Sequence, residues 1–553
     1  MKQMNRRDFL KATAAASLGL TSSFASSALS RDAENRLNVL YIMCDDLNHY
    51  VTGMGGHPQG KTPNINRLMK MGVSFMNAHT NHPVCLPSRT SLFSGLYPHT
   101  TGALGWEGWD DSDILKGSVS MFQHFKKNGY NLFGTGKLYH SAHRHRKVWQ
   151  NENGTSNFAG NTDYGPVPWD GKSKGWLMHS SMKDMEKLIT EYQQKIWRDR
   201  GEHTFGPLSD IPEYKPDKEK NIPGYKGWTL AGGKPFRYIN DDDRDLMPDE
   251  LSANFAVEVL NKKHDKPFFL GVGFIRPHTP MYVPQKHFDM FPFDQIKLPP
   301  YKEDDLDDCE EFKHLVFKYG FQRHELYLKY GGVEMWKRCV QAYLACVAFA
   351  DEQLGKVLDA LEKSPYVNNT IIVFTSDHGF HMGEKSYNFK LTNWEVSTRV
   401  PFIVAAPGIA RKGEKCHHPV SLLDIYPSLI DLCNLPKNPN ADSNNQPLDG
   451  HNIKPFLLDP TNGKWQGPPV ALTAIYSQDE TNGQVYHYSV RSKDWRYTLY
   501  SNDAEELYDH RSDPHEWHNL AKDNNYNQVK TELRQQLFSL LGNDIDKKRG
   551  IKS

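Results

Sequence analysis

Two short apolar runs end in acids. Arg36-Leu-Asn-Val-Leu-Tyr-Ile-Met-Cys-Asp-Asp-Leu47 and Thr370-Ile-Ile-Val-Phe-Thr-Ser-Asp-His-Gly379 each read as a buried strand that delivers carboxylates at its C-terminal end. Asp45, Asp46 and Asp377 are hard oxygen donors, suited to a hard cation such as Ca2+ or Mg2+. An acid pair after one strand is ordinarily a helix cap or a solvated turn. A second acid-tipped strand is not explained that way. Arg89 follows Cys85 by four residues, so on a helix starting at Cys85 the guanidinium lies over the same face. Lys137 and His140 are three apart and can share a face in the same manner. His278 stands at the polar tip of a further apolar run, Pro267-Phe-Phe-Leu-Gly-Val-Gly-Phe-Ile-Arg-Pro-His278. Taken singly, a lysine is usually a solvated charge and a histidine a satisfied hydrogen-bonder.

Composition limits what these groups can serve. The 553 residues carry 66 Lys and Arg against 66 Asp and Glu. That balance excludes the basic footprint of a nucleic-acid binder. Without residues 1–30 the count is 62 against 65, so an anionic substrate needs a local basic site. Seven cysteines without a C-x-x-C pair are neither a disulfide scaffold nor a zinc ribbon, although Cys416 and Cys433 could pair in an oxidising compartment. Asn5-Arg6-Arg7-Asp8-Phe9-Leu10-Lys11, the small apolar stretch to Leu20 and Ser26-Ser27-Ala28 read as a twin-arginine export signal over residues 1–28. The apolar run is too short to span a bilayer, so we expect an exported protein, periplasmic or secreted, without membrane insertion.

The elements that must position these residues alternate. The three acid- or His-tipped strands and a fourth at Pro401–Pro407 are separated by helical patterns. Among these are a capped helix over Thr62–Gly72 and a long one over Trp336–Leu361. This predicts an α/β fold with a mostly parallel sheet sandwiched by helices. Residues 150–250 are rich in Gly, Lys, Asp and Trp, with one helical patch at Asp184–Trp197, and read as an insertion or lid. Beyond residue 456, short alternating strands at 470–476, 485–491 and 495–500 and a helix at 526–541 predict a small antiparallel subdomain. The expected division is a catalytic domain over 31–455 and a C-terminal subdomain over 456–553.

The segment Cys85-Leu86-Pro87-Ser88-Arg89 resembles the C-x-P-S-R motif of type I sulfatases, in the alkaline phosphatase superfamily. Further motifs occur in that family's order: Asp45-Asp46, Leu96-Tyr-Pro98-His-Thr-x-Gly102, Gly136-Lys137-x-x-His140, Pro277-His278-x-Pro280, Thr375-Ser-Asp377-His378-Gly379 and Lys390. Glu506-Leu-Tyr-Asp509, Asp513-Pro-x-Glu516 and Asn519-Leu-Ala521 match its C-terminal signature, so the likeness covers residues 36–521. Arg276-Pro-His-Thr-Pro280, His378 and Ala342–Asp351 look most like the iduronate-2-sulfatase branch and its bacterial polysaccharide relatives.

The resemblance implies an alkaline-phosphatase-like fold and hydrolysis of O-sulfate esters on a sulfated carbohydrate. Uronic-acid polysaccharides such as ulvan or glycosaminoglycan are the expected kind. It implies that a maturase oxidises Cys85 to formylglycine (3-oxoalanine), whose hydrate attacks sulfur and later expels sulfate. One Ca2+ would be held by Asp45, Asp46, Asp377, His378 and the modified Cys85. Many members carry Asn where this chain has His378. Arg89 would steady the nucleophile, Lys137 bind sulfate and His140 act as base, while His278 and Lys390 hold sulfate and protonate the leaving oxygen. A formylglycine-dependent phosphonate or phosphate ester hydrolase and a non-catalytic sulfoglycan-binding protein are the alternatives. Around this set, the basic run His143–Lys147 could be a rim for a carboxylate or second sulfate. His381 could touch substrate. Trp106, Trp109 and Trp176 could stack on sugar rings, core or lid packing being the commoner fate.

Overall fold

The computed structural model describes residues 36–551 apart from 141–145, 152, 154, 160–162, 173–176, 183–203, 231–232, 310–318 and 480–481. The expected export segment, the expected helical patch at 184–197 and Trp176 lie outside the described residues, as do the side chains of the basic run 143–147.

An eight-stranded sheet forms the frame. Its strands in chain order are β1 (Asn38–Asp45), β2 (Val73–Phe75), β3 (Asn131–Gly136), β4 (Phe158–Ala159), β5 (Phe268–Pro277), β6 (Thr370–Ser376), β7 (Phe402–Ala405) and β8 (Glu414–Cys416). They lie side by side as β8-β2-β7-β6-β1-β5-β3-β4. β1 pairs in parallel with β5 and β6, and β5 with β3. The run at Pro401–Pro407 departs from that pattern, since β7 is antiparallel to both β6 and β2. The all-apolar strands bury both faces, as the period of two demands. Val39, Tyr41 and Met43 enter one core cluster, and Leu40, Ile42 and Cys44 the other.

The second cluster is covered by α1 (Pro63–Met71), α3 (Pro248–Asn261) and α4 (Tyr319–Lys363). The first is covered by α2 (Cys85–Ser94) and α5 (Ile425–Leu432). α4 extends the expected helix toward its N-terminus across a break at Gly332, whose φ of 59° is not helical. The cap expected of Thr62 on α1 comes instead from α4. The Thr62 hydroxyl bonds Thr52, and the first amides of α1 donate to the Asp351 carboxylate, Asn64 at 3.0 Å and Ile65 at 2.7 Å. Cys416 and Cys433 are not paired; all seven cysteines are free and buried.

The C-terminal region forms a four-stranded antiparallel sheet of β9 (Ala471–Asp479), β10 (Gly483–Arg491), β11 (Trp495–Leu499) and β12 (Glu505–Asp509). Helix α6 (Asn527–Leu541) packs on it through Leu533, Leu537 and Leu541. Among the described residues, no helix is long and apolar enough to cross a membrane.

Candidate active site

Because β1, β3, β5 and β6 run in parallel, their C-terminal ends share one edge, and chemistry gathers there. β1 ends at Asp45, and Asp46 follows with a left-handed φ of 65°. Gly136 closes β3 with φ of 68°; a Cβ there would sit 1.9 Å from the Gly273 carbonyl, so glycine is needed to turn Lys137 into the site. At the tip of β5, the Asp249 carboxylate of α3 accepts from the Ile275 and Arg276 amides at 2.7 and 2.9 Å, fixing the approach to His278. α2 begins at Cys85, and the Ser88 hydroxyl donates to the Asp377 carbonyl at 2.6 Å, joining the helix to the end of β6. Lys390 arrives on the loop after β6. That loop is held by His381, which is wholly buried between Tyr387 and Trp394 with Nε2 2.8 Å from Thr392 Oγ1. His381 thereby braces the loop.

The thiol of Cys85 is the meeting point. Its Sγ lies 3.1 Å from Lys390 Nζ, 3.3 Å from His378 Nε2 and 3.4 Å from Asp45 Oδ1, and it is hydrogen-bonded to His140. Lys390 Nζ also donates to Asp46 Oδ1 at 2.7 Å, and Lys137 Nζ donates to Asp45 Oδ2. Arg89 lies beneath. Its Nε donates to Asp377 Oδ2 at 2.8 Å and its Nη1 to the carbonyl of Leu138 at 2.9 Å. Backbone carbonyls only accept, so His278 donates from Nδ1 to Thr279 at 2.6 Å and His378 from Nδ1 to Gly379 at 3.0 Å. Both Nε2 atoms are thereby turned to the site, that of His278 lying 3.8 Å from Asp46 Oδ2.

Charge sets the protonation states. Burial opposes the Cys85 thiolate, but Lys137, Lys390 and His378 outweigh it and hold the thiol well below its usual range. Burial likewise opposes ionisation of Asp45, and Lys137, His278 and Arg89 overcome it. Asp377 is pushed up to about 6 by burial, with Arg89 pulling the other way. His378 is raised to about 9, the Asp377 charge overcoming burial. Burial lowers His140 below the ordinary imidazole value.

Ligand atoms of Asp45, Asp46, Cys85 and His278 lie within 4.8 Å of one another, as do those of Asp45, Cys85, Asp377 and His378. The sets overlap at Asp45 and Cys85. Asp46 Oδ2 is buried without a hydrogen-bond partner, which leaves its lone pairs available to a cation. This buried acidic cluster can hold a metal.

The structure thus gathers Asp45, Asp46, Cys85, Arg89, Lys137, His140, His278, Asp377, His378 and Lys390 at one edge. It adds Tyr164, which sequence reasoning missed. The Tyr164 ring lies 4.7 Å from Lys137 Nζ and 4.8 Å from the His278 ring. Its segment has no periodicity to announce it. The tryptophans divide: Trp109 is buried in the core, and Trp106 stands at the site, 5.5 Å ring to ring from His140.

The chain matches the family model described as Sulfatase over residues 37–435, and that of N-sulphoglucosamine sulphohydrolase, C-terminal, over residues 383–542. A sulfatase of Formosa agariphila is 34% identical over 494 residues, covering 88% of this chain and 83% of the relative. The iduronate 2-sulfatase of Mus musculus is 27% identical, covering 92% of this chain and 95% of the relative. The solved structure of a 2-O GAG sulfatase superposes with a TM-score of 0.61 at 22% identity, covering 94% of each chain, and shows the same fold. A strand-edge cluster of acids and cations around a cysteine, carried on a chain that matches along most of its length, identifies this protein as a member of the sulfatase family and a sulfuric ester hydrolase.

Proposed function

We propose that the protein hydrolyses O-sulfate esters on a sulfated carbohydrate, releasing inorganic sulfate, and that its substrates are uronic-acid-containing polysaccharides or their oligosaccharides. One observation carries the reading. Cys85 lies where two lysines, two histidines and a carboxylate converge, so its side chain is surrounded by the groups that sulfate transfer requires. Relatives named for iduronate and ulvan support the carbohydrate class.

In this proposal a maturase converts Cys85 to formylglycine, which supplies a nucleophile that a thiol does not. One Ca2+ held by Asp45, Asp46, Asp377 and His378 beside residue 85 would supply positive charge to the sulfate oxygens; the three carboxylates are hard donors, and Asp46 Oδ2 has a lone pair free of hydrogen bonds to give it. Lys137, Lys390 and His278 hold the sulfate oxygens. Arg89 is held by the Asp377 carboxylate and the carbonyls of Lys137 and Leu138, so it fixes the site from beneath. His140, lowered by burial and bonded to the residue-85 side chain, takes and returns the proton there. His278 Nε2 and Lys390 Nζ face the leaving oxygen and protonate it.

The test is sulfate release from defined sulfated oligosaccharides after peptide mass has confirmed the aldehyde at position 85, beside a Cys85→Ala control. Release from a uronic-acid member, lost in the control, is the expected result. Silence across the panel by converted protein, or preferred cleavage of a phosphate or phosphonate ester, overturns the proposal.

A further inference from the structure

Among the described residues, Trp106 is 49% exposed, the most exposed tryptophan of the large apolar side chains left in water. Single exposed apolar residues are normal and prove nothing alone. The surroundings of this one are specific. Its ring lies 5.5 Å from His140, which also bonds the Cys85 thiol. The loop that presents it is braced, with the Gly105 amide donating to Glu107 Oε2 at 2.6 Å and the Gly108 amide to Asp111 Oδ2 at 2.6 Å. The indole N–H donates to the Tyr476 hydroxyl, which belongs to β9 of the C-terminal sheet. Tyr476 in turn stacks on His82, ring centroids 6.1 Å apart at 30°, and His82 is three residues before Cys85. A strip of rings therefore links His140, Trp106, Tyr476 and His82 across two parts of the fold. Polar groups gather at the residue before Trp106 in the loop: a Cβ on Gly105 would lie 3.0 Å from Gln484 Nε2 and 3.1 Å from Glu107 Oε2.

A pyranose ring has the matching chemistry. Its axial C–H bonds make an apolar face that an indole covers, and its hydroxyl rim needs donors and acceptors at the edge. A rigid, half-exposed indole with a carboxylate and an amide beside it meets both needs. We propose that Trp106, tethered by Tyr476, is a stacking platform for a pyranose ring of the saccharide that bears the scissile sulfate, with Glu107 and Gln484 at the hydroxyl rim. This rests on the carbohydrate reading above. It makes the C-terminal sheet a part of substrate recognition, because the tether comes from β9.

The test compares wild type, Trp106→Ala and Trp106→Phe, each with the aldehyde confirmed, on the sulfated oligosaccharide that wild type cleaves. Inorganic sulfate, which has no ring, serves as the competing ligand. Loss of a stacking face should lower kcat/KM of Trp106→Ala by about tenfold, the change carried by KM, whereas Trp106→Phe keeps a ring and should lose about threefold or less. Inhibition by inorganic sulfate should shift much less than the saccharide KM. Wild-type sulfate release with an unchanged saccharide KM in Trp106→Ala overturns the platform and leaves the carbohydrate reading standing. An equal shift for saccharide and inorganic sulfate also overturns it, since the variant would then have disturbed the sulfate site itself. If wild type releases no sulfate from any saccharide, the carbohydrate reading fails and the platform with it.

Discussion

At the strand tips, Asp45, Asp46 and Asp377 face Arg89, Lys137 and Lys390. At the seam between the main sheet and the C-terminal sheet, Glu395 and Glu516 face Arg491, Arg496 and His510. Both clusters are buried, and both bring acids and a histidine within 4.8 Å of one another, as a metal site would. The seam has no room for an ion, chemically speaking. Glu395 Oε2 accepts from Arg496 Nη2 at 2.6 Å and Arg491 Nε at 3.1 Å. Glu516 Oε1 accepts from Arg496 Nε at 2.5 Å and His510 Nε2 at 3.1 Å, and Oε2 from the Glu395 amide at 2.8 Å. Among the described residues, no buried nitrogen or oxygen of these side chains lacks a hydrogen-bond partner, whereas Asp46 Oδ2 and Arg89 Nη2 at the strand tips do. The lesson is that proximity of acids does not make a site; unspent hydrogen-bonding capacity does. The seam spends its charge on structure and the strand tips hold theirs in reserve.

The sharpest way to break that contrast is to remove one charge from each cluster. Asp46→Asn keeps the shape and removes the charge that has no complete set of partners. We expect kcat/KM to fall by about 10^3-fold or more, equivalent to about 4 kcal/mol of lost transition-state stabilisation. The Tm without added calcium should stay close to wild type, and calcium should raise the wild-type Tm but not that of the variant. Activity within tenfold of wild type, or an equal calcium shift, would show that the strand tips are no more poised than the seam.

Arg496→Ala should do the reverse. It strips Glu395 and Glu516 of their shared partner, which for buried pairs costs about 3–5 kcal/mol of stability. Equilibrium unfolding at fixed calcium measures this, and an unchanged midpoint would be fatal to the idea. The same cluster should appear in the pH dependence. Burial opposes ionisation of Glu516, but Arg496 and His510 outweigh it and hold the carboxyl at about 2 against an ordinary 4.5. The folded chain therefore binds fewer protons there, so this stabilisation is complete above about pH 4.5 and drains away as pH falls toward 2. In Arg496→Ala that acid-side loss should shrink.

The strand tips could be read in the sequence because the signal is local. An apolar run followed at once by acids, or by Gly136 and Lys137, states both the strand and what it delivers. The seam could not be read, because Glu395 finds its partners at Arg491 and Arg496, about a hundred residues on. β12 was visible as part of a motif but not as a strand, since its buried Glu506 breaks the apolar pattern. Only the fold reveals that the hydroxyls of Tyr500 and Tyr508 and the Trp394 indole satisfy that carboxylate. The cap of α1 failed for a similar reason. Thr62 had the right chemistry, but Asp351 on α4 had the better position.

Tyr164 gives the finest cut through the comparison. In the seam every cation is met by a carboxylate. At the strand tips Lys137 has the Asp45 carboxylate on one side and an aromatic face on the other. A ring attracts the ammonium without neutralising it, so Lys137 is steered while its charge remains available to an arriving anion. Replacing the ring should therefore blunt binding more than folding. The backbone will not move much, because the Tyr164 carbonyl is held by both terminal nitrogens of Arg276 at 3.2 Å, whatever the side chain. Tyr164→Leu should lower kcat/KM by about thirtyfold, in line with about 2 kcal/mol for a desolvated cation–π contact, while Tyr164→Phe keeps the face and should lose about twofold or less. Equal losses in the two variants would assign the effect to the hydroxyl, which Lys137 also meets. No loss in either would mean that Asp45 alone positions Lys137, and that strand tips and seam fix their cations by the same means.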